Sequence, residues 1–434
     1  MPNPTGKNGA GIKIYPADDV LKGTLLKYVQ QGLTQAQKID RLVKDHNLKI
    51  STTKLNQLER KLEIPSVRRT PAPREVAMQA VLDEADKDVA QSNGPNYVKD
   101  KLKDKLIMVP RSHTVRSIMH EFFPHGAELR YPGHKKSKIF RRPLTAIGPF
   151  HEISSDGHEK LGAQALRMGD VSLPIYGWKD KWTAADLVKL DVVPDSRTNA
   201  AVGHLFLDFV EEIGGIPLQT TTDKGSETGW LYALQTALRE KFAPDIDLDV
   251  YPSHAFVKSV HNTIIEAFWR WLHEKLGFQL KDLILRGQVE HIFNANVPFH
   301  RHVILDLFNW IFPPLVQAEL DEFRVYWNQH RIRDQPKKNM PSGHVPADAL
   351  EHPELFGGIN CLIKVPPETV RDLRLFLTEE VGPREKHLAW VSTEFAIIAD
   401  AVHESLGRPR ITLENSWNIF GLMSSGIEEL GPVL

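Results

Sequence analysis

Along the first third of the chain, apolar residues recur every three or four positions. Leu21, Leu25 and Tyr28 form one set, Ile39, Leu42 and Val43 a second, and Leu55, Leu58 and Leu62 a third. This spacing predicts three short helices, each with one apolar face. Gly32 ends the first. Thr34 and Ser51 open the second and third, because a hydroxyl there can accept from the free N–H groups of a first helical turn. The other face of the third helix carries Lys54, Gln57, Arg60 and Lys61. That combination suggests a helix-turn-helix, although a plain three-helix bundle fits the same pattern. A Pro- and Arg-rich linker follows at Pro65–Glu75. Helical spacing then returns through Val76, Ala80 and Val81, through Tyr97, Leu102 and Leu106, and through Val115, Ile118, Met119 and Phe122. Pro110 opens the last of these helices, with Arg111 and Arg116 near its start, where a second recognition helix would present side chains to DNA.

From Pro149 the period changes. Short strands are expected at 150–155, 172–176, 185–193, 217–222 and 247–251. Helices are expected at 205–213, 229–241 and 259–276. Strands first in a run and then alternating with helices indicate an α/β core. After residue 277 the chain reads as helical, with Pro313 and Pro314 expected to kink or break the helix at 303–324.

Composition adds limits. The chain has 434 residues, of which 41% are hydrophobic and 25% charged, enough for several packed cores. The one cysteine, Cys361, excludes an intrachain disulfide and a multi-cysteine zinc site. No run is long and apolar enough for a membrane span, and the first residues lack a secretory core. The expectation is therefore an intracellular protein without membrane contact, nuclear if the source is eukaryotic. The net charge is -1, yet Lys99–Arg142 holds twelve Lys and Arg against four acids. A local excess of eight, including Arg111, Arg116, Lys135 and Lys136, favours phosphate contact. A solvated charged linker would look the same.

Three acids stand at predicted element boundaries. Asp156 follows the first core strand, Asp223 follows a later one, and Glu266 lies on the helix after the last. Carboxylates at strand ends of an α/β sheet can converge on one crevice. Asn262 and Arg270 share a helix face with Glu266. Singly, each acid is better read as a turn former or a solvated helix residue. Together, three hard oxygen donors suit Mg²⁺ or Mn²⁺.

The surrounding motifs sharpen this reading. Asp223-Lys224-Gly225-Ser226-Glu227 resembles the segment around the second acid of retroviral and retrotransposon integrases. Ser259-Val260-His261-Asn262, then Ile265-Glu266 and Trp269-Arg270, resembles their helix with the third acid. Asp156-Gly157-His158-Glu159-Lys160-Leu161 resembles the first-acid segment of eukaryotic integrase-core proteins, in which helix-turn-helix-like segments precede the core. Ile175-Tyr176-Gly177, Asp180 and the stretch from Trp327 to Pro341 fit the same family. The resemblance, to the integrase and DDE transposase superfamily, covers about 149–345. The spacing departs from it: 42 residues lie between Asp223 and Glu266, more than is typical of retroviral integrases.

The resemblance implies an α/β, RNase H-like integrase catalytic core: a mixed sheet flanked by helices, with an N-terminal helix-turn-helix-like region and a helical C-terminal extension. The pattern along the chain itself gives a flexible lead at 1–17, a helix-turn-helix-like domain at 18–70 and a second, basic DNA-binding-like segment at 75–142. The catalytic core spans 149–277, a closing helical extension 278–345, and a region without assigned role 346–434. Asp156, Asp223 and Glu266 become ligands of two Mg²⁺ or Mn²⁺ ions, with no zinc. By their place near Glu266, independent of the resemblance, Lys258, His261, Asn262 and Arg270 are candidate contacts to DNA phosphates, or simply solvated surface residues. The implied activity is DNA 3′-end processing and strand transfer, on element ends and a target duplex, by a homo-oligomer. A catalytically silent DNA-binding protein and an RNase H-like nuclease are the alternatives.

Overall fold

The computed structural model describes residues 14–88, 93–110, 114–123, 145–158, 171–183, 187–257, 262–293, 301–335 and 340–430. The chain divides into two compact units. The first comprises 1–87, 93–135 and 329–331, and the second comprises 88–92, 136–328 and 332–434.

The first unit is helical. Helices α1 (Asp18–Gln30), α2 (Gln35–His46) and α3 (Thr52–Lys61) enclose one core, centred on Leu21, Leu25, Leu42 and Leu55. The polar residues expected to start and stop them do so. Gly32 takes a left-handed φ of 65° after α1. Thr34 accepts from the Gln37 N–H in a capping box, and Ser51 accepts from the Lys54 N–H. Inside this core Glu59 is buried, paired with Lys38 at 2.7 Å and Arg69 at 2.6 Å. Helices α4 (Arg74–Asp86), α5 (Pro95–Asp104) and α6 (Arg116–Phe122) form a second core around Val81, Leu102 and Val115.

The second unit is built on a mixed five-stranded sheet. Its strands are β1 (Glu152–His158), β2 (Ile175–Asp180), β3 (Leu187–Val192), β5 (Gln219–Asp223) and β6 (His254–Val257), in the order β3-β2-β1-β5-β6. β1 runs antiparallel to β2 and β2 to β3, whereas β1 is parallel to β5 and β5 to β6. One face is covered by α7 (Asn199–Ile213), α8 (Gly229–Phe242) and α13 (Pro367–Val381). Trp178 stacks on Phe209 there, ring centroids 4.4 Å apart. The other face takes α9 (Thr263–Leu272) and α11 (Arg301–Gln329), where Phe268 meets Phe323 and Trp327. Gln317 of α11 closes edge strand β3, accepting from the Val192 N–H and donating to the Leu190 carbonyl, both at 2.9 Å. This is the RNase H-like arrangement, a mixed sheet flanked by helices.

Several elements differ from the sequence expectation. Asp156 lies inside β1 rather than after it. The last strand is 254–257, not 247–251. Asp247 instead accepts from the Asp249 N–H and bends the chain into a turn, leaving Leu248 and Val250 exposed. The prolines at 313 and 314 do not break α11, because Phe308, Phe312, Val316 and Leu320 on either side are fully buried and hold the helix in line.

The C-terminal region is helical and packed into the second unit. It holds α12 (Pro346–Glu351), α13, α14 (Arg384–Leu388), α15 (Thr393–Ser405) and α16 (Ser416–Glu429). The short strand β7 (Ile363–Lys364) pairs with β4 (Gly215–Ile216). Trp417 of α16 donates to the Leu283 carbonyl of α10 (Phe278–Val289) at 2.8 Å and rings with Phe312 and Phe420. Gly287 makes this possible, since a Cβ there would collide with the Trp417 indole. Gly287→Ala is expected to lower stability by about 1–3 kcal/mol, the usual cost of overpacking a rigid ring, against a helix-propensity gain of at most ~1 kcal/mol. Thermal unfolding of the variant checks this; a melting temperature at or above wild type contradicts the docking of α16.

Candidate metal centre

Strand register places the first two acids. Glu152 pairs with Gln219, Ile153 with Thr220 and Ser154 with Thr221. Asp156 and Asp223 each lie two residues beyond the last of these pairs, so they are level on neighbouring parallel strands. In a parallel ladder, level residues point to the same face. The contact from the Thr221 hydroxyl to Glu152, at 3.0 Å, lies on that face. The opposite face of β5 holds Thr220 and Thr222, which clamp His254 of β6 at 2.7 and 3.1 Å. Burial depresses the His254 pKa to about 4, so this strap stays neutral and fixes the strand that ends in Asp223.

Helix α9 supplies the third acid. Ile265, Phe268, Trp269 and Leu272 are its buried face, the i, i+3, i+4, i+7 set of an amphipathic helix. Glu266 is half-buried at the margin of that face, in the first turn. Asn262 ties the helix start to β1, its amide donating to the Ser155 carbonyl at 3.4 Å. Trp269, one turn beyond Glu266, donates its indole N–H to Asp156 Oδ2 at 3.0 Å.

Asp156 feels its surroundings and the other two carboxylates. Burial pushes the Asp156 pKa up to about 7. The Trp269 hydrogen bond pulls it down, the charges of Asp223 and Glu266 push it up, and the Gly157 N–H pulls it down. Tyr176, buried on β2, is also pushed up, by burial first and then by the charges of Asp156, Glu227 and Asp223. Glu227 is thus a fourth carboxylate at the same end of the sheet. Asp180 is not part of this group. It is buried between the N–H groups of Phe150 and Thr183, at 2.7 and 2.8 Å, and serves the loop.

Among the described residues, no three His, Cys, Asp or Glu side chains are closed around one point as a metal site. The donor set still fits a hard divalent cation in kind: oxygen donors only, on one face, with Asp156 carrying an unfavourable charge that a cation would relieve.

The remaining candidates separate. Asn262 is buried at 3% exposure and anchors the start of α9 through the Ser155 carbonyl. Arg270 and Arg116 are exposed. Lys258, His261, Arg111, Lys135 and Lys136 lie outside the described residues. Trp269, Gly177 and Glu227 stand within the quoted motifs, but sequence alone gives them no role at the site. The i+3 spacing of Trp269 from Glu266 was the available signal.

Residues 183–347 match the integrase core domain family. Over that stretch the chain is similar to the integrase core domain family. The match includes Asp223 and Glu266 and begins after β2, so Asp156 lies outside it, on the strand paired with β5. A structure described as the Mos1 strand transfer complex is 10% identical, covering 63% of this chain and 96% of that one, with a TM-score of 0.15; that likeness is too weak to bear on the fold. No curated protein matches. Among the described residues, no helix is long and apolar enough to cross a membrane.

Because the folded pKa of Asp156 is above its ordinary value, the folded state binds the extra proton between about pH 4 and 7. Stability therefore falls as pH rises through that window. Asp156→Asn, measured in EDTA, is expected to match wild type near pH 4 and to exceed it by roughly 2 kcal/mol above pH 7, about half the full value of the shift because the group is only partly shielded. Equal melting curves at pH 8 would contradict the crowding of Asp156.

Proposed function

We propose that the protein is a divalent-metal-dependent polynucleotidyl transferase that processes DNA 3′ ends and joins them to a target duplex. The observation that carries this is the level placement of Asp156 and Asp223 on parallel strands, with Glu266 on the helix packed against β1 and the charges of both acting on Asp156. Asp156, Asp223 and Glu266 would hold two Mg²⁺ or Mn²⁺ ions. When bound, such ions activate an attacking oxygen and stabilise the leaving oxygen of an in-line displacement.

The chain's own residues set the geometry. Asn262 and the His254 strap fix the backbones of α9 and β5. Arg270, exposed one turn beyond Glu266, is placed to meet a phosphate. In end processing, a water oxygen attacks phosphorus and the P–O3′ bond breaks, leaving a 3′-hydroxyl. In joining, that 3′-oxygen attacks a target phosphodiester and a target 3′-hydroxyl leaves. The exposed face of α3, with Lys54, Gln57 and Arg60, suits DNA contact as a helix-turn-helix reading element.

The open arrangement of the carboxylates favours a second reading, a duplex DNA-binding protein without catalysis. A labelled duplex incubated with Mg²⁺ or Mn²⁺ separates the two. Metal-dependent nicking and joining are expected from wild type, falling at least ~100-fold in Asp156→Asn, Asp223→Asn and Glu266→Gln. Duplex binding with a steep salt dependence but no metal-dependent product supports the silent reading. Preferential cleavage of RNA–DNA hybrid points to a nuclease instead.

A further inference from the structure

We propose that Trp269 is a positioning residue that orients Asp156 toward a divalent cation, with Gly177 and His158 holding its indole in place. This rests on the reading of Asp156 as a metal ligand.

An indole N–H is a donor only. At 3.0 Å from Oδ2 it commits one oxygen of Asp156. Ligating carboxylates depend on such outer partners to fix their direction. The indole is gripped from two sides. His158, two residues along β1, stacks on it with centroids 4.5 Å apart and planes 8° from parallel. Gly177 stands directly across the ladder from Asp156, and a Cβ there would come within 2.6 Å of the indole Cη2. Any larger residue at 177 would move the ring, and with it the N–H.

Burial alone does not explain the bond. Trp178 is fully buried on the opposite face of the sheet, and its N–H has no partner. Two residues on neighbouring strands, His158 of β1 and Gly177 of β2, serve an indole that filling space would not require to point anywhere. The contact also joins α9 to β1 across 113 residues of sequence. It therefore couples the element carrying Glu266 to the strand carrying Asp156.

The test is Mn²⁺ affinity of the full chain, by calorimetry and by the electron paramagnetic resonance of free Mn²⁺, alongside melting curves. The variants are Trp269→Phe, Gly177→Ala, Asp156→Asn, and a chain with 3-benzothienylalanine at 269, which keeps the bicyclic shape without the N–H. The proposal expects Asp156→Asn to abolish binding. It expects the benzothienyl chain to melt like wild type yet bind Mn²⁺ about 10–100-fold more weakly, with Trp269→Phe and Gly177→Ala weakened in the same direction. If Asp156→Asn abolishes binding while the benzothienyl chain binds like wild type, the positioning role is overturned and the metal site stands. Mn²⁺ binding unaffected by Asp156→Asn overturns the metal reading itself, and this inference with it.

Discussion

The register between β1 and β5 is the constraint on which the site depends. Neighbouring strands lie ~4.8 Å apart, and a slip of one residue would turn a side chain to the opposite face. Here the pairs running from Glu152–Gln219 to Ser154–Thr221 bring Asp156 and Asp223 level at the same end of the sheet. Two carboxylates so placed repel each other, and the sheet has to be held rigid against that repulsion. The core on one face, with Trp178, Phe206 and Phe209 fully buried, and the aromatic packing of α9 and α11 on the other provide the restraint.

The same arrangement gives the site its electrostatic character. A half-buried aspartate between two other carboxylates is unstable as an anion, which is why its proton is held to about neutral pH. Such a group lowers the stability of the fold, and under the proposed metal binding a cation would relieve it. The surrounding contacts limit the loss. Trp269 donates to Asp156, Asn262 fixes the start of α9, and the neutral His254 strap secures β5 without adding charge.

Much of this was legible in the sequence, for local reasons. Thr34, Ser51 and Gly32 act within one turn of backbone, so their roles can be read without knowing the fold. The β5 strand ending at Asp223 and the amphipathic α9 were legible because their patterns match the faces they bury. Other features depend on distant partners. Asp247 to Tyr251 alternates like a strand but is bent by the Asp247 side chain, and the true edge strand at 254–257 is only four residues long. Asn262 reads as a surface polar residue until β1 is seen above it. Trp269 reads as core, because nothing local reveals that its N–H meets Asp156 across 113 residues. The C-terminal helices are amphipathic, but their place against α10 and β4 follows from Trp417, Gly287 and the β4–β7 pair, which no local pattern links.

The central claim is that these carboxylates form one cation site. The most direct measurement is an anomalous difference map from crystals grown with Mn²⁺. The account predicts a peak coordinated by Asp156 together with Asp223 or Glu266, with the Trp269 N–H still on the second oxygen of Asp156. An ordered Mn²⁺ elsewhere, with these three side chains remaining apart, would contradict it.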